Sequence, residues 1–79
     1  MSETKVRNIL EKHGRMTTSV TELDINDDLY NAGLTSLATV GLMLALEDEF
    51  DVEFTDAMLS RKTFSSIDSI MEAVEELQD

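Results

Sequence analysis

Val6, Ile9 and Leu10, with His13 after them, fall at the i, i+3, i+4, i+7 spacing of one helix face. With Ser2 as a cap and Gly14 as a stop, the pattern predicts a first helix over 3–13. No helical period is sustained from 15 to 35, yet Val20, Leu23, Ile25, Leu29 and Tyr30 are spaced so that a loop can dip repeatedly into a core. At about 20 residues this loop is longer than most, which predicts both a functional role and a short helix over 27–31. A second helix is predicted over 36–50, capped by Thr35 and preceded by Gly33, whose tolerance of positive φ suits a sharp turn. After a break over 51–55, residues 56–60 suit one short helical turn before the basic pair Arg61 and Lys62. Ser65, with Asp68 three residues on, predicts the cap of a last helix whose apolar stripe is Ile67, Ile70, Met71, Val74 and Leu77. The expected fold is all-α: a small four-helix bundle of three principal helices and one short one, with a long first loop, in a single domain over 1–79.

The 36–50 helix is unlike the others because it has two apolar faces. Stepping 100° per residue, Leu42, Leu46 and Phe50 gather in one direction with Thr39 and Met43, while Leu37, Val40 and Leu44 gather nearly opposite. A domain this small can cover only one face, so the second is expected in solvent, where a contiguous apolar patch marks a partner site.

Composition narrows the partners. Among 79 residues, 17 acidic against 6 basic side chains give a net charge of −11, while 42% hydrophobic content is ordinary for a folded domain. A negative field repels phosphate backbones and anionic lipid, which disfavours nucleic acid and membrane surfaces and favours basic protein surfaces. The longest uncharged stretch, 32–46, is too short and too polar for a membrane span. With no cysteine and no targeting pattern at the N-terminus, a reducing, cytoplasmic setting is expected.

Catalytic patterns fit poorly, so no enzymatic activity is expected. Ser36 lacks the second glycine and preceding strand of a nucleophile turn, and the only histidine, His13, sits on the first helix. Asp24, Asn26 and Asp28 match the first positions of a calcium loop, but Leu29 and Thr35 occupy its glycine and bidentate-glutamate positions. What remains is a serine on the first turn of a helix. Backbone N–H groups and the helix dipole would stabilise a phosphodiester there, and a capping role for Ser36 is the equally available alternative.

The run Asp28-Leu29-Tyr30-Asn31-Ala32-Gly33-Leu34-Thr35-Ser36-Leu37-Ala38-Thr39-Val40, followed by Ala45-Leu46-Glu47-Asp48-Glu49-Phe50-Asp51-Val52-Glu53-Phe54, resembles the acyl carrier protein family over almost the whole chain. The resemblance implies 4′-phosphopantetheine esterified to Ser36, its thiol carrying acyl or aminoacyl cargo as a thioester, as in fatty acid, polyketide or specialised lipid biosynthesis. It also implies an exposed strip of Leu37, Val40 and Leu44, with Glu47, Asp48, Glu53 and Asp56 contacting basic patches on partners. Those partners would be a phosphopantetheinyl transferase, a loading ligase and downstream transferases or synthases, visited by a monomeric carrier. Leu42, Met43, Leu46, Ile67 and Ile70 would line any space for an acyl chain, although ordinary core packing accounts for them equally.

The chain departs from the family pattern at Thr35, where an aspartate is usual, at Ala38 and Gly41, where acidic residues are common, and at Thr55, where proline is usual. These departures imply a specialised partner set. Leu34-Thr35-Ser36, Leu42-Met43-Leu44 and Arg61-Lys62-Thr63-Phe64 are similar to stand-alone carriers, including those loaded with an amino acid by ligases resembling seryl-tRNA synthetase. The competing reading is an unmodified acidic interaction module.

Overall fold

The first apolar stripe becomes helix α1, Ser2–His13, which buries Val6, Ile9 and Leu10 and leaves His13 exposed. This computed structural model describes residues 2–14 and 19–78, the side chain of Ser2 excepted, so the Ser2 cap lies outside the described residues. Helix α2 spans Ser36–Phe50 and α3 spans Ile67–Gln78. α1 packs against both. Leu42 and Leu46 from α2 join Ile67, Ile70 and Val74 from α3 and Val6 and Leu10 from α1 in one hydrophobic core. Ala73, outside the predicted stripe, is buried there too, and Met71 and Leu77 are half-buried.

The long first loop behaves as its apolar spacing predicts. Val20, Leu23 and Leu29 are buried, and Ile25 and Tyr30 pack half-buried against the core. Arg7 fastens the loop to α1, donating from Nη1 to the Val20 carbonyl at 2.7 Å while its Nε pairs with Glu3 at 2.9 Å. A 3-10 turn, Val20–Glu22, begins there.

The predicted helix over 27–31 is absent, replaced by hydrogen-bonded turns. Its amides are taken by other acceptors: Leu29 N–H donates to the Ser65 carbonyl at 2.7 Å, and Tyr30 N–H to Asp28 Oδ1 at 2.9 Å. The turns close at Gly33, whose φ of 113° a side chain rarely adopts. The short helical turn expected over 56–60 is present as a 3-10 turn, Asp56–Met58. The bundle is therefore three α-helices with two such turns among the described residues.

At the start of α3 the cap falls one residue later than predicted. Ser66 Oγ accepts the Ser69 N–H at 3.1 Å, whereas Ser65 Oγ donates to the Lys62 carbonyl at 2.8 Å. Ser65 is drawn into the preceding turn, and its own carbonyl serves Leu29. Asp68 N–H, an orphan of the first helical turn, donates to the Ile25 carbonyl at 2.9 Å.

α2 ends at Asp51, which takes the left-handed conformation at φ 53°, ψ 51°. Its N–H and that of Val52 both donate to the Glu47 carbonyl, joining the 5→1 bond of an αL cap to the 6→1 bond of a Schellman motif without the usual glycine. Glu47 Oε2 then accepts the Phe54 N–H at 2.9 Å, tethering the next segment so that Phe54 can pack on Phe64 with ring centroids 5.5 Å apart.

Candidate functional site

Ser36 is the first residue of α2 and is exposed. Its hydroxyl is not needed to cap the helix, because Thr35 Oγ1 accepts the Ala38 N–H at 3.1 Å and the Thr35 carbonyl accepts from Thr39 N and Oγ1 at 3.0 and 2.8 Å. Of the two readings of Ser36, the capping one is thereby assigned to its neighbour. The first turn of α2 carries no acidic residue, so the positive end of the helix dipole is not offset there.

A groove of about 350 Å³ opens beside Ser36. Ser36, Thr39, Val40 and Met43 line it from α2, Leu59, Ser60, Arg61 and Phe64 from the segment before α3, and Tyr30 from the first loop. Of the residues weighed as lining for an acyl chain, only Met43 reaches this groove; Leu42, Leu46, Ile67 and Ile70 are fully buried and pack as core. Leu59, 47% exposed, extends the apolar surface around Ser36. Sequence reasoning passed over it because a lone leucine in an irregular segment carries no periodic signal.

The two faces of α2 separate sharply. Leu37, Val40 and Leu44 are 85%, 53% and 56% exposed, whereas Leu42 and Leu46 are at 0%. The exposed three share their face with Gly41, which stands at i+4 from Leu37 and is itself exposed. Among the acidic residues of the expected partner face, Asp48, Glu53 and Asp56 are exposed. Glu47 is half-buried, with one carboxylate oxygen committed to Phe54. A second depression joins Leu44, Asp48 and Glu49 to Ile9, Lys12 and His13 of α1.

The carboxylates of the calcium-like run are turned to local backbone. Asp27 Oδ2 accepts the Asp24 N–H and Asp24 Oδ1 the Asn26 N–H, as turn-forming aspartates do. No helix among the described residues is long and apolar enough to cross a membrane.

Residues 5–74 match the family described as "Phosphopantetheine attachment site". An aminoacyl carrier protein of Agrobacterium fabrum is 46% identical over 74 residues, spanning 94% of this chain and 89% of that protein. A D-alanyl carrier protein of Streptococcus uberis is 40% identical over 58 residues, 71% of this chain and 73% of the relative. Among solved structures, a chain from the crystal structure of an engineered Bradyrhizobium japonicum glycine–carrier protein ligase complexed with a carrier protein from Agrobacterium tumefaciens and ATP superposes with a TM-score of 0.93 at 43% identity, covering 96% of this chain and 99% of that one.

Proposed function

The chain belongs to the phosphopantetheine-attachment family of carrier proteins, whose members bear covalent 4′-phosphopantetheine, and on that premise we propose that Ser36 is the esterified residue and an aminoacyl group the cargo. The observation that carries the site is the exposed Ser36 hydroxyl, spared from capping by Thr35 and standing on the first turn of a 15-residue helix. These residues fit the group: the helix end favours a phosphodiester, and nothing on its first turn repels one. When bound, 4′-phosphopantetheine supplies the thiol that a cysteine-free chain lacks and holds the cargo as a thioester.

The aminoacyl assignment is supported by the 46% identical relative and by the ligase complex that contains the structural neighbour. An amino-acid ligase, a phosphopantetheinyl transferase and downstream transferases are the partners, and the chemistry resides in them while the carrier remains a cytoplasmic, non-catalytic monomer. Leu37, Val40 and Leu44 offer these partners an apolar strip, and Asp48, Glu53 and Asp56 supply salt-sensitive attraction to basic surfaces.

Incubation with coenzyme A and a broad-specificity transferase tests the site. The Ser36 Oγ–P bond forms as the pyrophosphate P–O–P bond of coenzyme A breaks, releasing adenosine 3′,5′-bisphosphate and the serine proton. Intact mass should rise by one phosphopantetheine unit in the wild type and stay unchanged in Ser36→Ala. An unmodified wild type with several transferases would overturn the assignment. A modified chain that accepts fatty acids and no amino acid from their respective ligases would overturn the cargo.

A further inference from the structure

Among the described cations, Lys12, Arg61 and Lys62 take part in no ion pair, and of these three Arg61 alone lies over an aromatic ring. The ion pairs among the described residues are Lys5–Glu49 and Arg7–Glu3, and Arg61 is in neither. Its guanidinium carbon instead lies 4.0 Å above the ring centroid of Tyr30. Both residues line the groove that contains Ser36.

We propose that Arg61, held over the Tyr30 ring, is a built-in counter-charge for the phosphodiester at Ser36, an inference that rests on the modification proposed above. Stacking on a ring face restrains a guanidinium while leaving its in-plane N–H donors free, and that planar fork matches phosphate oxygens in a way an ammonium does not. Tyr30 is itself anchored: its N–H is bound by Asp28, and the neighbouring Leu29 N–H by the Ser65 carbonyl. The stack therefore stands on a fixed base.

Electrostatics gives the cation a purpose. Modification adds a negative charge to a chain already at −11, and at physiological salt only charges within about 8 Å act strongly on it. The α2 terminus supplies partial positive charge on one side of the groove, and Arg61 supplies a full one from the segment before α3. Thr35, an uncharged capping residue directly before Ser36, keeps that corner free of a competing carboxylate.

The test compares apo and holo forms of the wild type, Arg61→Gln and Arg61→Lys, each form verified by intact mass. Because Arg61→Gln loses the Tyr30 stack in both forms, the change in Tm from apo to holo isolates the phosphate. That change should be about 3 °C more unfavourable in Arg61→Gln than in the wild type, with Arg61→Lys between them, and the difference should vanish in 1 M salt. The ³¹P resonance of the holo protein should also move in Arg61→Gln. Identical apo-to-holo changes and an unmoved ³¹P signal in fully modified protein would overturn the role of Arg61 and leave the Ser36 assignment standing. A wild type that cannot be modified at Ser36 would overturn both.

Discussion

The Thr35 hydroxyl accepts the Ala38 N–H at 3.1 Å, so α2 is capped by the residue before Ser36 and not by Ser36. The two neighbours thus divide cap and exposed hydroxyl between them. Thr35→Ala should lower stability by about 1 kcal/mol through loss of the cap, and Thr35→Asp should preserve it. Ser36→Ala should abolish modification with a stability change within about 0.5 kcal/mol. Urea unfolding of the three variants checks the division, and equal losses for Thr35→Ala and Ser36→Ala would contradict it.

The opposed faces of α2 should respond oppositely to truncation. Leu46→Ala removes a fully buried side chain and should cost about 2 to 5 kcal/mol. Leu37→Ala and Val40→Ala remove exposed ones, so stability should hold while loading by the ligase weakens. Denaturant midpoints paired with ligase kinetics separate the two classes.

Glu47 serves the fold before it serves any partner. With Oε2 bound to the Phe54 N–H at 2.9 Å, Glu47→Ala should destabilise by about 1 to 2 kcal/mol, and Glu47→Gln, which retains an acceptor, by less. Asp48→Asn, on an exposed side chain, should be nearly neutral in stability and reduce the salt dependence of partner binding. Thermal melts with binding at two ionic strengths distinguish the neighbouring acids.

Two backbone positions leave stability unclaimed. A Cβ at Gly41 would meet nothing within 4 Å, so Gly41→Ala should stabilise α2 by about 0.8 to 1 kcal/mol. Asp51 occupies the left-handed region at φ 53°, and Asp51→Gly should stabilise by about 0.5 to 1 kcal/mol. Calorimetry of each variant measures the gain. Because Gly41 lies among Leu37, Val40 and Leu44, the same substitution should also slow ligase loading by adding bulk to the exposed strip.

The helices and the placement of Ser36 were readable because amphipathic periodicity and caps are local. The 36–50 helix begins and ends where Thr35 and the break after Phe50 predict, and its two faces follow from a 100° step alone. What escaped reading depends on distant partners. Nothing near Ser65 and Ser66 tells which will cap α3 until Leu29 takes the Ser65 carbonyl, and the 27–31 segment loses its helix to acceptors such as that one. The Arg61–Tyr30 stack joins residues 31 positions apart in sequence, and the groove exists only once the first loop and the segment before α3 meet α2.

The two backbone bonds between the first loop and the start of α3, Leu29 N–H to Ser65 and Asp68 N–H to Ile25, make the crossover a strap buckled at both ends. One wall of the groove hangs from that strap, since Tyr30 follows Leu29 directly. Deuterium should therefore enter the Leu29 and Asp68 amides together and late, at the pace of whole-molecule opening, even though they lie outside regular hydrogen-bond ladders.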